Sequence, residues 1–138
     1  EINAARTART FASLLAAGVD ILTALQITGE VVQNHYHKDV LKAAAEKVQK
    51  GGQLSDTFMK REDLYPPLMG EMIAVGEETG ALADMLLRVA TFYESEVEQK
   101  TKNMSTIIEP FLMLLIGVTV GFFAVAMIGP IYSLSEAF

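Results

Sequence analysis

The sequence contains no cysteine. Disulfides, thiolate chemistry and cysteine-built zinc sites are therefore excluded, and the redox compartment stays open. Basic side chains are scarce as well: eleven Lys and Arg stand against seventeen Asp and Glu, for a net charge of −6. A nucleic-acid partner would need basic groups to neutralise its phosphates, so the acidic balance argues against that class of function. No stretch shows the strict apolar-polar alternation of a half-buried strand. Charge itself is missing from Pro110 to Ser135. The chain opens on Glu1, not on a methionine, and its first residues do not read as a signal peptide. The expectation is a piece of a longer protein, cut just before a helix.

What is present is helical spacing. Phe11, Leu14, Leu15 and Gly18 share a face, with Gly18 ending the first helix. Asp20 reads as an N-cap, and Ile21, Leu22, Leu25, Thr28 and Val32 point inward from a second helix. Asn34 to His37 read as a polar connection. Val40, Leu41, Ala44 and Val48 mark a third helix, which Gly51-Gly52 stops. A short fourth runs from about Leu54 to Lys60, and Tyr65-Pro66-Pro67 breaks the chain before a fifth. That fifth helix puts Met69, Met72, Ile73, Gly76 and Gly80 on one face. The sixth starts near Leu82 and buries Met85, Leu86, Val89, Tyr93 and Val97. The expected fold class is all-α: an antiparallel six-helix bundle whose last helix continues into a C-terminal transmembrane helix.

The stretch Phe111 to Leu134 is long enough to span, because roughly 20 residues cross the hydrocarbon core. Its thirteen Leu, Ile, Val and Phe residues supply an insertion drive of about −4 to −8 kcal/mol, less the cost of Gly117, Gly121, Gly129 and Pro130. The expected organisation is a bundle over 1–106, a membrane helix over 107–135 and a short external tail at 136–138. Lys100 and Lys102 precede the span and no basic residue follows it, so the positive-inside rule places the bundle in the cytoplasm.

The chemistry-bearing residues form no site. His35 and His37 flank Tyr36 without a third ligand in a metal-binding pattern, and read as solvated loop histidines. Lys50-Gly51-Gly52 has its lysine on the wrong side of the glycines for a phosphate loop. Glu94, Glu96 and Glu98 alternate around a helix and do not converge. No catalytic, cofactor-binding or metal-binding residue is assigned, and no enzyme activity is expected.

Two patterns carry more. In Gly76-Glu77-Glu78-Thr79-Gly80, a mid-helix glycine costs about 1 kcal/mol against alanine, which implies a close helix contact at Gly76. Gly80 suits a left-handed terminus. Glu77, at the flank of the buried face, is expected to accept hydrogen bonds from the start of the sixth helix. Glu78 points away from that face and is left for a partner. The second pattern, Gly117-Val118-Thr119-Val120-Gly121, has the small-xxx-small spacing that lets membrane helices approach closely.

Arg9-Thr10-Phe11 with Leu14 to Val19, Gly52-Gln53-Leu54-Ser55, and Pro67-Leu68-Met69 through Gly76-Glu77-Glu78-Thr79-Gly80 resemble the F domain of bacterial type II secretion and type IV pilus systems. So do Ile108-Glu109-Pro110 and Ala126 to Tyr132, nearly end to end. Asp20 stands where proline is frequent and Thr79 where serine is. The family carries two copies of the domain, and the terminal segment resembles the second. The resemblance implies a platform protein of the bacterial inner membrane with its bundle on the cytoplasmic side. It also implies the function of linking a cytoplasmic hexameric ATPase to pilin or pseudopilin subunits, with movement passed on as a rigid body. Other inner-membrane assembly proteins and a homo-oligomer belong to the same implied setting. A membrane-tethered sensor or adaptor bundle is the alternative; its output helix would show sustained heptads, whereas Val97, Thr101, Met104 and Ile108 form a mixed seam.

Overall fold

The computed structural model describes every residue, Glu1–Phe138, and contains six helices and no strand. They are α1 (Ile2–Ala16), α2 (Ile21–Val31), α3 (His35–Gln49), α4 (Leu54–Met59), α5 (Pro67–Thr79) and α6 (Leu82–Glu136). The chain divides into two compact units, Glu1–Glu98 and Gln99–Phe138.

In the first unit the helix ends are written in local chemistry. Asp20 caps α2 by accepting from the Thr23 N–H at 3.0 Å, and Asn34 caps α3 by accepting from the Tyr36 N–H at 2.9 Å. The helices α1, α3 and α5 each give way to a left-handed glycine: Gly18, Gly51 and Gly80. Past α1 the Val19 N–H reaches back to the Leu14 carbonyl and the Gly18 N–H to that of Leu15. Past α3 the Gly52 N–H reaches Lys47 and the Gly51 N–H reaches Val48. This double return satisfies carbonyls that the helix would otherwise leave open. Pro67 sits in the first turn of α5, where its missing N–H costs nothing.

Consecutive helices pack, α1 on α2, α2 on α3, α3 on α4 and α4 on α5. Their core holds Phe11, Leu25, Val40, Leu41, Leu54, Phe58, Tyr65, Met69, Ile73, Leu86, Val89 and Tyr93. Three expectations change. The residues Asn34 to His37 are not a connection: α3 already starts at His35, because Asn34 supplies the cap. The buried face of α1 is Ala4, Ala5, Thr7, Ala8, Phe11 and Ala12, while Leu14 and Leu15 pack only partly. Ile21 is exposed, and Ala24 takes the inward place beside Leu25 and Thr28. Small alanines on α1 let its backbone come close to its neighbours.

The second unit is helical from Gln99 to Glu136, and every residue in it is exposed. Helix α6 carries the one apolar stretch long enough to cross a membrane, and none of that stretch is buried in the protein. Pro110 and Pro130 lie inside it. Each lacks the N–H that would bond four residues back, at Thr106 and Ala126. The helix persists through both.

Candidate interaction site at the α5–α6 corner

Residues 76–80 form the end of α5 and its turn into α6. Gly76 is buried, and a Cβ there would lie 2.7 Å from Leu82 Cα and 3.3 Å from Leu82 N. The first turn of α6 therefore lies directly on the α5 backbone. Gly80 has φ +73°, the left-handed conformation that glycine adopts without steric cost. The Ala81 N–H then returns to the Gly76 carbonyl at 3.1 Å.

Glu77 is half-buried, and its carboxylate collects three donors. The Leu54 N–H lies at 2.5 Å from Oε1, and the Ser55 N–H and Ser55 hydroxyl lie at 3.1 and 2.7 Å from Oε2. These belong to the first turn of α4, so the expected acceptor role is present but its target differs. The reason is that Gln53, the residue before α4, provides no side-chain cap; a carboxylate from another helix supplies it. The negative charge also sits at the positive end of the α4 dipole. Lys47 adds a second tie across the α3–α4 turn, donating to Asp56 at 2.6 Å, and this holds the Asp56 carboxyl below its ordinary pKa.

Glu78 is exposed and makes no hydrogen bond or ion pair within the chain. Glu71, Val75 and Thr79 share the exposed side of α5 with it. The structure therefore brings Gly76, Glu77, Glu78 and Gly80 to one corner, with three of them turned to internal work and one facing solvent. Gly117 and Gly121 are not part of it. They lie in the second unit, and apart from the backbone of their own helix nothing comes within 4 Å of where a Cβ would stand at either.

Elsewhere the first unit ties α1 to α6. Arg9 donates to both Glu94 oxygens, at 2.9 and 2.5 Å. The guanidinium bonds hold the Glu94 carboxyl below its ordinary pKa. Both side chains are over 40% exposed, so the pair contributes little stability. The His35–Tyr36–His37 segment departs from the solvated-loop reading. His35 is exposed and lies 3.4 Å from Asp39, whereas His37 is buried against Tyr65. No three His, Asp or Glu side chains converge to hold a metal ion. Sequence reasoning missed Tyr65 as a core residue and Gly70 as a close contact, where a Cβ would lie 2.7 Å from Met59 Cγ. The adjacent prolines drew attention to a chain break at Tyr65, and no periodicity exists in a connection to mark its burial.

The chain is similar in sequence to known proteins. The family described as type II secretion system (T2SS), protein F, matches residues 7–130. The type IV pilus assembly protein PilC of Thermus thermophilus is 39% identical over 130 residues, which cover 94% of this chain and 32% of that protein. PilC of Pseudomonas aeruginosa is 38% identical over 132 residues, 96% of this chain and 35% of the relative. The type II secretion system protein F of Pseudomonas aeruginosa is 35% identical over 132 residues, 96% of this chain and 32% of the relative. The chain spans about a third of the length of these curated relatives.

Proposed function

The chain belongs to the type II secretion system protein F family, and from that premise we propose that it is a non-enzymatic platform segment of a pilus-assembly or secretion machine. In this reading the bundle of residues 1–106 lies in the cytoplasm, residues 107–135 cross the bacterial inner membrane, and residues 136–138 emerge outside. The segment is the second of two F domains in the complete protein. Its partners are a cytoplasmic hexameric ATPase, pilin or pseudopilin subunits and other inner-membrane assembly proteins. It passes the movement of the first to the second without hydrolysing nucleotide itself.

One observation carries the reading: a single helix, α6, supplies Leu86, Val89, Ala90 and Tyr93 to the bundle core and also contains the apolar membrane-length stretch. Displacement of the core is thereby linked through one covalent helix to the membrane. The contact surface in this reading is the exposed side of the α5–α6 corner at Glu78. Beneath it, Gly76, Glu77 and Gly80 fix the backbone, and Gly117 and Gly121 serve packing against another membrane helix. Charge at the rim of an interface governs encounter and orientation more than raw affinity.

Reversing Glu78 to lysine tests this. Glu78→Lys should leave helicity and membrane abundance unchanged, lower pilus or pseudopilus assembly, and weaken partner association most at low salt. Normal assembly by that variant would remove Glu78 as a contact. Robust nucleotide hydrolysis by the purified chain alone would remove the platform reading itself.

A further inference from the structure

The core of the first unit holds a histidine that the coupling role does not use. His37 lies in the first turn of α3 and is 6% exposed. Its ring stands edge-on to Tyr65, with centroids 4.9 Å apart and planes at 74°. Tyr65 is fully buried although it belongs to the connection between α4 and α5. It stands edge-on to Phe58 of α4 at 4.9 Å, and its hydroxyl lies 3.1 Å from Thr7 Oγ1 of α1. Three helices thus meet on one connecting residue, and His37 is the contact from α3.

This arrangement suits imidazole and not imidazolium. His37 Nδ1 is buried and has no hydrogen-bond partner. A lone pair there is tolerated, but a second N–H would need an acceptor that the core does not provide. An unsatisfied donor bearing charge is among the most costly groups to bury. The charged groups facing the ring do not relieve this. From the α4–α5 connection, Arg61 opposes protonation and Asp63 favours it. Asp63 is already engaged, accepting from Arg61 at 3.0 and 3.1 Å. The N-terminal end of α3, with its partial positive charge, also disfavours a cation.

We propose that His37 is an acid-sensitive catch: on gaining a proton it leaves the core, Tyr65 loses its contact with α3, and the connection over residues 60–66 opens while the α6 core stays folded. The direction follows from linkage. Burial holds the His37 pKa below the ordinary histidine value, with the Leu64 carbonyl partly offsetting it. The open form therefore binds the proton more readily than the closed one. Closure is fully favoured above a pH of about 6.5 and is lost as pH falls through the lowered pKa of the closed form.

Hydrogen exchange on the complete chain in detergent reads this directly. The Leu64 and Tyr65 amides both bond to the Arg61 carbonyl, at 3.1 and 2.9 Å, and report on the connection. Labelling times are scaled so that intrinsic exchange matches at about pH 7.5 and about pH 5.5. Protection over residues 61–65 should then fall on acidification by up to about tenfold per pH unit, the limit for one proton. Amides of residues 86–90 should keep theirs. His37→Phe and His37→Gln should each abolish the pH dependence over residues 61–65. Undiminished wild-type protection, or an equal loss in both variants, would overturn the catch. Loss extending equally over residues 86–90 would also overturn it, because it would mean unfolding of the whole bundle.

Discussion

Tyr65 and Tyr93 are both buried, and burial pushes the pKa of each up to about 12, so both are neutral phenols. Their hydroxyls fare differently. Thr7 gives its own proton to the Asn3 carbonyl at 2.8 Å, which makes Tyr65 the donor in the 3.1 Å bond between the two hydroxyls. The Tyr93 hydroxyl has no partner. Removing a satisfied hydroxyl and removing an orphaned one are opposite experiments. Tyr65→Phe should cost roughly 1 kcal/mol, and Tyr93→Phe should be neutral or stabilise by up to about 1 kcal/mol. Thermal unfolding of the detergent-solubilised chain compares them, and equal losses would contradict the difference. At this scale the sequence was legible for Tyr93, which falls on the helical repeat with Leu86 and Val89. It was silent for Tyr65, whose partner Thr7 lies 58 residues away.

At the scale of the element, identical residues have different reasons. Gly76 touches the backbone of Leu82, which cannot give way, so Gly76→Leu should cost roughly 1–3 kcal/mol. Gly29, inside α2, has nothing within 4 Å of a built Cβ and an ordinary helical backbone. Gly29→Ala should therefore stabilise by roughly 0.5–1 kcal/mol, the helix-propensity gain alone. Opposite shifts in melting temperature are expected for the two variants, and a gain from Gly76→Leu would remove the close-contact argument. Sequence spacing located Gly76 because it falls on the Met69-Ile73 stripe, and it located the Asp20 cap and the glycine stops because these signals are local. It misjudged α1, where Ala4, Ala8 and Ala12 carry less hydrophobic contrast than Leu14 and Leu15. It assigned Glu77 to the nearest helix start in sequence, whereas the carboxylate serves α4. That choice depends on which turns lie together at one end of the bundle, and no one-dimensional pattern encodes it.

For the whole molecule the question is which side of the membrane the bundle occupies. Lys100 and Lys102 precede the apolar stretch, and after Leu134 the only charged side chain is Glu136. The proposed orientation keeps these basic residues on the cytoplasmic side, acidic ones counting for little. The chain has no cysteine, so expressed by itself it carries no thiol besides an introduced one. Lys60 and Ala137 are both exposed, one just past α4 and one near the end of the chain. In intact cells a membrane-impermeant maleimide should label Ala137→Cys and leave Lys60→Cys untouched, while both should react after lysis. The reverse pattern would put Glu78 on the side opposite a cytoplasmic ATPase. The coupling role would then fail at its first step, whatever the stability of the bundle, because no charge reversal at the α5–α6 corner acts on a partner that cannot reach it.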